Sequence, residues 1–312
     1  MNFAQFSQLV RQNVAQVIIG KDAVVELLLV ALLCDGHVLL EDVPGIGKTT
    51  LAKALARSID CTFSRIQFTP DLLPGDVTGI NYFNQKQQEF EFRRGPVFSQ
   101  VLLSDEINRA TPRTQSSLLE AMQEKQSTID GVTYELPRPF LVIATQNPIE
   151  LEGTFPLPEA QLDRFLLQVK LGYPTLEEED EILLRYERQD PLQNLQAVVS
   201  APQIVELQQQ ARTIHVSDDV RHYILQIVRS TREHEAAELG VSPRGSLALY
   251  RAGQALAALR GREFVTPSDV QLLAPAVLTH RIQISPQTRL RGRTPAQIVA
   301  EIAENVPAPV VS

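Results

Sequence analysis

The sequence predicts an α/β fold in two parts, a parallel-sheet core followed by a helical domain. Three observations carry this reading. Up to about Gly172, short apolar runs alternate with helix-like segments. Gly172-Tyr173-Pro174 then breaks the alternation, and beyond it the chain reads as helices only. Strands that alternate with helices build parallel sheets, because each parallel pairing needs a crossover.

The strand candidates are Val38–Leu40, Phe63–Gln67, Val101–Ser104, Phe140–Thr145 and Phe165–Leu171, with helix-like stretches such as Thr49–Ser58 and Arg113–Glu124 between them. Two other stretches, Ile80–Phe98 and Ser127–Pro137, read as strand, turn, strand. The tip of the first is Gln85–Gln88, between Tyr82-Phe83 and Phe90–Phe92, and Asp130-Gly131 is a strong turn pair in the second. The later helices carry start signals. Thr175 with Glu178 is a capping box, and Ser217 precedes two Asp. Ser242-Pro243 and Thr266-Pro267 each place an N-cap before a proline at the first helical position. Val220, Ile224, Ile227 and Val228 fall on one helical face. The acidic run Glu177 to Glu181 reads as a solvated helix face near a positive N-terminus. A last helix is expected over Pro295–Asn305, then a frayed end, Val306-Pro307-Ala308-Pro309. The expected domain limits are 1–173, 174–283 and a C-terminal extension 284–312.

Composition narrows the function. The 312 residues fit one to two domains, and 44% hydrophobic with 21% charged residues is ordinary for a globular protein. The formal charge of -8 and the absence of Trp count against a phosphate-driven or base-stacking nucleic-acid binder. Cys34 and Cys61 form no C-x-x-C pair and read as reduced core residues, and the five His show no metal-ligand spacing. The N-terminus, with Asn2, Gln5, Gln8 and Arg11, lacks a signal-peptide core. The longest apolar stretch, Ala23 to Leu33, contains Glu26 and is too short to span a bilayer. A cytoplasmic protein without a transmembrane segment is expected.

The chemistry concentrates after three of the strands. Val38–Leu40 leads into Glu41-Asp42-Val43-Pro44-Gly45-Ile46-Gly47-Lys48-Thr49-Thr50, a strand, a glycine-rich turn and a helix start. Such a turn points backbone N–H groups at phosphate oxygens and the helix N-terminus adds its dipole. Lys48 is placed to reach the β- and γ-phosphates, and the Thr49 hydroxyl to bind Mg²⁺. The general pattern wants glycine where this chain has Asp42. Val101–Ser104 ends in Asp105-Glu106, at the carboxyl edge where parallel sheets bind ligands. Asp105 is the candidate metal ligand and Glu106 the candidate to polarise the attacking water. Asn147, after the strand ending at Thr145 and before Pro148, has an amide able to orient that water.

With these elements in hand, the chain resembles the MoxR family of AAA+ ATPases. The matching stretches are Leu40–Thr50, Phe68–Gly79, Asp105–Ala110, Gln115–Glu124, Leu157–Phe165 and Ser242–Arg244, in family order. The resemblance implies a P-loop NTPase (AAA+) core, an all-helical lid, two β-hairpin insertions and a hexameric ring with sites shared between subunits. It implies ATP hydrolysis with Mg²⁺, and remodelling or activation of a client protein, which in similar proteins often carries a von Willebrand factor A domain. In that reading hydrolysis changes the core–lid angle and the hairpins transmit the movement. Arg164 resembles the arginine finger, worth ~10³–10⁵ in rate in related enzymes; an ion pair with Asp163 or Glu159 is its plainer role. Arg244 resembles sensor 2. It falls in the first turn of its helix, where a cation is unfavourable unless an anion offsets it. Ile18-Ile19-Gly20 resembles the segment that packs against adenine, and plain core packing explains it equally. Arg109 and Arg113 suit either a neighbouring subunit or solvated helix ends. Two other functions fit the P-loop: a nucleic-acid motor or loader, for which Lys86, Arg93 and Arg94 speak, and a small-molecule kinase.

Overall fold

The computed structural model of the chain describes residues 1–147, 153–187 and 189–309. Five strands form one parallel sheet: β1 (Val38–Glu41), β2 (Phe63–Gln67), β5 (Val101–Asp105), β8 (Leu141–Gln146) and β9 (Leu167–Val169). Their order is β2-β5-β8-β1-β9. Parallel sheets are covered on both faces, and side chains alternate between those faces. In β1, Val38 and Leu40 enter one apolar cluster while Leu39 enters the other. Val101 and Leu103 oppose Leu102 in β5 in the same way, as Leu141 and Ile143 oppose Val142 in β8.

On the first face lie α1 (Phe3–Val14), α2 (Asp22–Leu33) and α3 (Lys48–Ser58); on the second, α4 (Pro74–Thr78) and α5 (Pro112–Glu124). Both expected hairpins form. β3 (Gly79–Asn84) pairs with β4 (Glu89–Arg94), and β6 (Gln126–Ile129) with β7 (Val132–Glu135). They are joined to each other: Asn81 Nδ2 donates to Asp130 Oδ2 at 2.8 Å, and Phe92 stacks on Tyr134 with ring centroids 4.4 Å apart. The β3–β4 tip stays exposed, with Phe90 at 74%.

After the short α6 (Glu159–Leu162) and β9 come α7 (Leu176–Tyr186), α8 (Ala201–Ala211), α9 (Asp218–Glu233), α10 (Pro243–Leu259) and α11 (Pro267–Leu278). Thr175, Ser217, Ser242 and Thr266 cap α7, α9, α10 and α11 with their side chains. The helical part also contains one short ribbon that the sequence reading does not include, β10 (Ala237–Leu239) with β11 (Gln283–Ile284). Strands of three and two residues are too short for a period-2 pattern to show. The chain continues through α12 (Pro286–Leu290) to α13 (Pro295–Asn305), which packs on α9 and α11 and buries Ile298 and Val299.

Helices α1 and α2 pack against α10, and α2 also against α8. One apolar cluster therefore runs from the sheet through α1–α3 into α8, α9, α10 and α11. Helix α7 differs, since none of its residues is buried. Among the described residues, no helix is long and apolar enough to cross a membrane.

Candidate nucleotide site

The turn Asp42–Gly47 follows β1, Asp105-Glu106 ends β5 and Asn147 follows β8. Strands β5, β8 and β1 are consecutive neighbours, so these groups meet at one carboxyl edge. Gly45 (φ 85) and Gly47 (φ 90) hold the turn in left-handed backbone that suits glycine, and a Cβ at either would meet no atom within 4 Å. That open concavity, ringed by N–H groups at the start of α3, fits a phosphate chain. Lys48 Nζ donates to the carbonyl of Asp42 at 2.6 Å, and burial lowers its pKa, opposed by Asp42, Asp105 and Glu106. The Asp42 carboxylate accepts from the N–H of Gly172 at 3.2 Å and from that of Leu171, which ties the entrance of the turn to the end of the sheet. This explains why an acid stands where the general pattern has glycine.

Glu106 sits at φ 56, ψ 50, a backbone conformation that costs a non-glycine residue about 1 kcal/mol. Its surroundings enforce it. The Glu106 N–H donates to Thr145 Oγ1 at 2.8 Å, and Thr145 Oγ1 donates to Asp105 Oδ1 at 2.7 Å. Gln67 Nε2 donates to Glu106 Oε2 at 2.8 Å, and Arg109 Nε lies 3.1 Å from the same oxygen. Arg65 Nη2 reaches Asp105 Oδ2 at 2.7 Å. Each carboxylate oxygen has a second lone pair, so Asp105 keeps acceptor capacity for a hydrated Mg²⁺, while Thr49 stands in the first turn of α3 directly after the glycine-rich turn. Thr145, Gln67 and Arg65 were not singled out from sequence. Their signal is present, however: Arg65 and Gln67 are two long polar side chains at i and i+2 on an edge strand.

Beside the turn lies a cleft of about 550 Å³. Val17, Ile18 and Ile19 form one wall, Pro44 to Gly47 the floor, and Ile182, Leu183 and Tyr186 of α7 the other wall. An apolar slot next to a phosphate cradle is the shape a purine ring takes. Thr50 reaches this cleft as well. Val43 precedes Pro44 in the turn, and Asn147 stands at the sheet edge; Pro148 lies outside the described residues.

The two arginines are elsewhere. Arg244 and Arg164 both line a second cleft of about 290 Å³, together with Asp35, Lys125, Arg251 and Arg281. Asp35 to His37 precede β1 and the P-loop follows it, so the second cleft sits at the opposite edge of the sheet. Arg244 therefore does not line the cleft beside its own P-loop. Ser242, the cap of α10, donates to Asp163 Oδ2 at 3.0 Å, which moors Arg244 beside Arg164. Asp163 is paired with Arg281, not with Arg164. Neither Arg164 nor Arg244 has a carboxylate partner among the described residues.

Comparison with known proteins agrees with this geometry. The ATPase family associated with various cellular activities (AAA) matches residues 37–167, and the AAA lid domain matches 229–302. The uncharacterized protein YeaC of Bacillus subtilis is 50% identical, over 96% of this chain and 93% of its own. Chaperone MoxR1 of Mycobacterium tuberculosis is 42% identical, over 96% and 81%. Protein MoxR of Paracoccus denitrificans is 33% identical, over 94% and 93%. A crystal structure from Cytophaga hutchinsonii superposes with a TM-score of 0.93 at 38% identity, covering 99% of this chain and 96% of that one. With a P-loop after β1, an acidic pair at the end of β5 and a matching helical lid, the chain belongs to the MoxR family of AAA+ ATPases.

Proposed function

We propose that the protein hydrolyses Mg-ATP as one subunit of a ring, hexameric as the family resemblance implies, and uses the cycle to remodel a client protein in the cytoplasm. The supporting observation is the meeting of the P-loop, Asp105-Glu106 and Asn147 at the ends of adjacent strands. In this reading the triphosphate lies on Gly45 to Lys48, and adenine between Ile19 and α7. Thr49 and Asp105 would hold Mg²⁺, which neutralises phosphate charge when bound. Glu106 polarises the water and Asn147 orients it.

Arg164 and Arg244 act together on the triphosphate of the next copy, since they share one cleft away from their own P-loop. The common apolar cluster of core and lid argues against a hinge between whole domains, and α7, which lines the nucleotide cleft without burying a residue, is the element that responds. The joined hairpins carry that response to the client, a partner with a von Willebrand factor A domain being the family's precedent. The same reading keeps a core at 1–173, a lid at 174–283 and an extension at 284–312 whose helix α13 docks on the lid.

Two linked measurements test it. Glu106→Gln is expected to lower ATP turnover at least 100-fold while ATP still binds, in line with the worth of a positioned base. Lys48→Ala and Arg164→Ala, each inactive alone, are expected to regain turnover when mixed. Unchanged turnover in Glu106→Gln removes the base, and mixtures inactive at every ratio remove the shared site.

A further inference from the structure

We infer that Arg281, acting through Asp163 and Ser242, is a positioning residue that sets Arg164 and Arg244 as one preassembled pair; this rests on the reading that both arginines serve a neighbouring copy's triphosphate. Arg281 is only 3% exposed. Its guanidinium offers five N–H groups, and all are used. Nε donates to Asp163 Oδ1 at 2.7 Å. Nη2 donates to the carbonyls of Phe165 at 2.6 Å and Asp163 at 3.4 Å. Nη1 donates to the carbonyls of Leu166, at 3.1 Å, and Val277. One side chain from the end of the lid thus grips the whole corner 163–166 of the core, the corner that carries Arg164. His280 Nε2 adds a bond to the Phe165 carbonyl at 3.0 Å.

The other oxygen of Asp163 completes the connection. It accepts from Ser242 Oγ, and Ser242 Oγ in turn accepts from the N–H of Arg244 at 3.2 Å. A continuous path of short bonds therefore runs from the backbone of Arg164 through Asp163 and Ser242 to the backbone of Arg244. Arg281 fixes the middle of that path. Its own charge is matched by Asp163, so it adds no unpaired cation, whereas Arg164 and Arg244 lack carboxylate partners among the described residues.

Buried ion pairs contribute little net stability compared with apolar packing, so their place is better explained by the geometry they impose. Two like charges left to themselves separate, and a cleft that meets triphosphate oxygens needs them held before the anion arrives. Lysine cannot replace Arg281, because an ammonium lacks the fork that spans these acceptors.

The test is Arg281→Gln in the full-length protein, read by steady-state ATP hydrolysis and by mixing. A tenfold or larger fall in kcat is expected, with KM for ATP within twofold, because none of these residues lines the nucleotide cleft. Mixed with Lys48→Ala, the variant should regain turnover; mixed with Arg164→Ala, it should not. Wild-type kcat, or regained turnover with Arg164→Ala and none with Lys48→Ala, overturns the inference. If instead Arg164→Ala fails to complement Lys48→Ala, the shared-site reading itself has failed. Should Arg281→Gln melt below the assay temperature, Ser242→Ala decides by the same criteria, with an expected fall in kcat of about threefold and unchanged kcat as the refutation.

Discussion

The hydroxyl of Thr145 is the smallest group on which the proposed chemistry depends. It accepts the Glu106 N–H at 2.8 Å and donates to Asp105 Oδ1 at 2.7 Å, in a residue 1% exposed. Thr145→Val keeps the shape and removes both bonds. A part-buried N–H without a partner costs about 1–3 kcal/mol, and a hydrogen bond to a charged group contributes about 1.5–3 kcal/mol. The two losses overlap because both act on one short segment, so about 2–3 kcal/mol is the expected weakening of the local geometry. Glu106 is held in left-handed backbone against its preference, and without its anchor it relaxes and takes its carboxylate with it. At about 1.4 kcal/mol per tenfold, kcat should fall about 30- to 150-fold. KM for ATP should move less than threefold, since Thr145 does not line the nucleotide cleft. Thr145→Ser, which restores the hydroxyl, should return kcat to within about threefold of wild type. Stopped assays of phosphate release across ATP concentrations measure both constants. A Thr145→Val protein with kcat within twofold of wild type would refute the anchoring argument.

Two other perturbations follow from the same geometry. His37 Nδ1 accepts from the Val142 N–H and Nε2 faces the Met122 carbonyl, so the ring is neutral with its proton on Nε2, and burial pushes its pKa down from 6.5 to about 4. The unfolded chain takes up that proton near 6.5 and the folded chain only near 4, so stability falls as pH drops through this window; urea unfolding should show about 2 kcal/mol less from this group at pH 5 than at pH 7.5, and His37→Gln should lose that part of the pH dependence. Gly20 has φ +70, and a Cβ there would lie 1.7 Å from Glu178 Oε1, whose carboxylate caps α7. Gly20→Ala should therefore strain the left-handed backbone and turn the Glu178 carboxylate away from its cap on α7, raising the Kd for ATP about five- to tenfold by titration calorimetry, and an unchanged Kd would separate α7 from the nucleotide.

What the sequence revealed, and what it hid, divides along physical lines. Strands β1, β5 and β8 are buried on both faces and so appear as apolar runs, and helix starts are marked by chemistry that acts locally, as at Thr175 and Ser242. The P-loop is legible for the same reason, since its glycines and Lys48 answer to backbone geometry within a few residues. Thr145, Gln67 and Arg65 carry no local mark of their role, because their partners lie about 40 residues away in sequence and meet them only across the sheet. The place of Arg244 beside Arg164 is hidden for the same reason, because the bond that moors it, Ser242 to Asp163, joins residues 79 apart.

That mooring bears on how copies assemble. The nucleotide cleft follows the carboxyl end of β1, and the cleft of Arg164 and Arg244 lies against the residues before it. On the proposed reading, each copy offers a donor half and an acceptor half at opposite edges of one sheet. A two-fold dimer joins a surface to its own equivalent, so it cannot mate one half with the other unless both lie on the same face. Head-to-tail contact mates them with no such condition, and repeated with a closing rotation it gives a ring in which every triphosphate meets a neighbour's arginines. If the two arginines serve a neighbouring copy as proposed, their placement beside Asp163 favours ring closure over pairing and would tie hydrolysis to assembly.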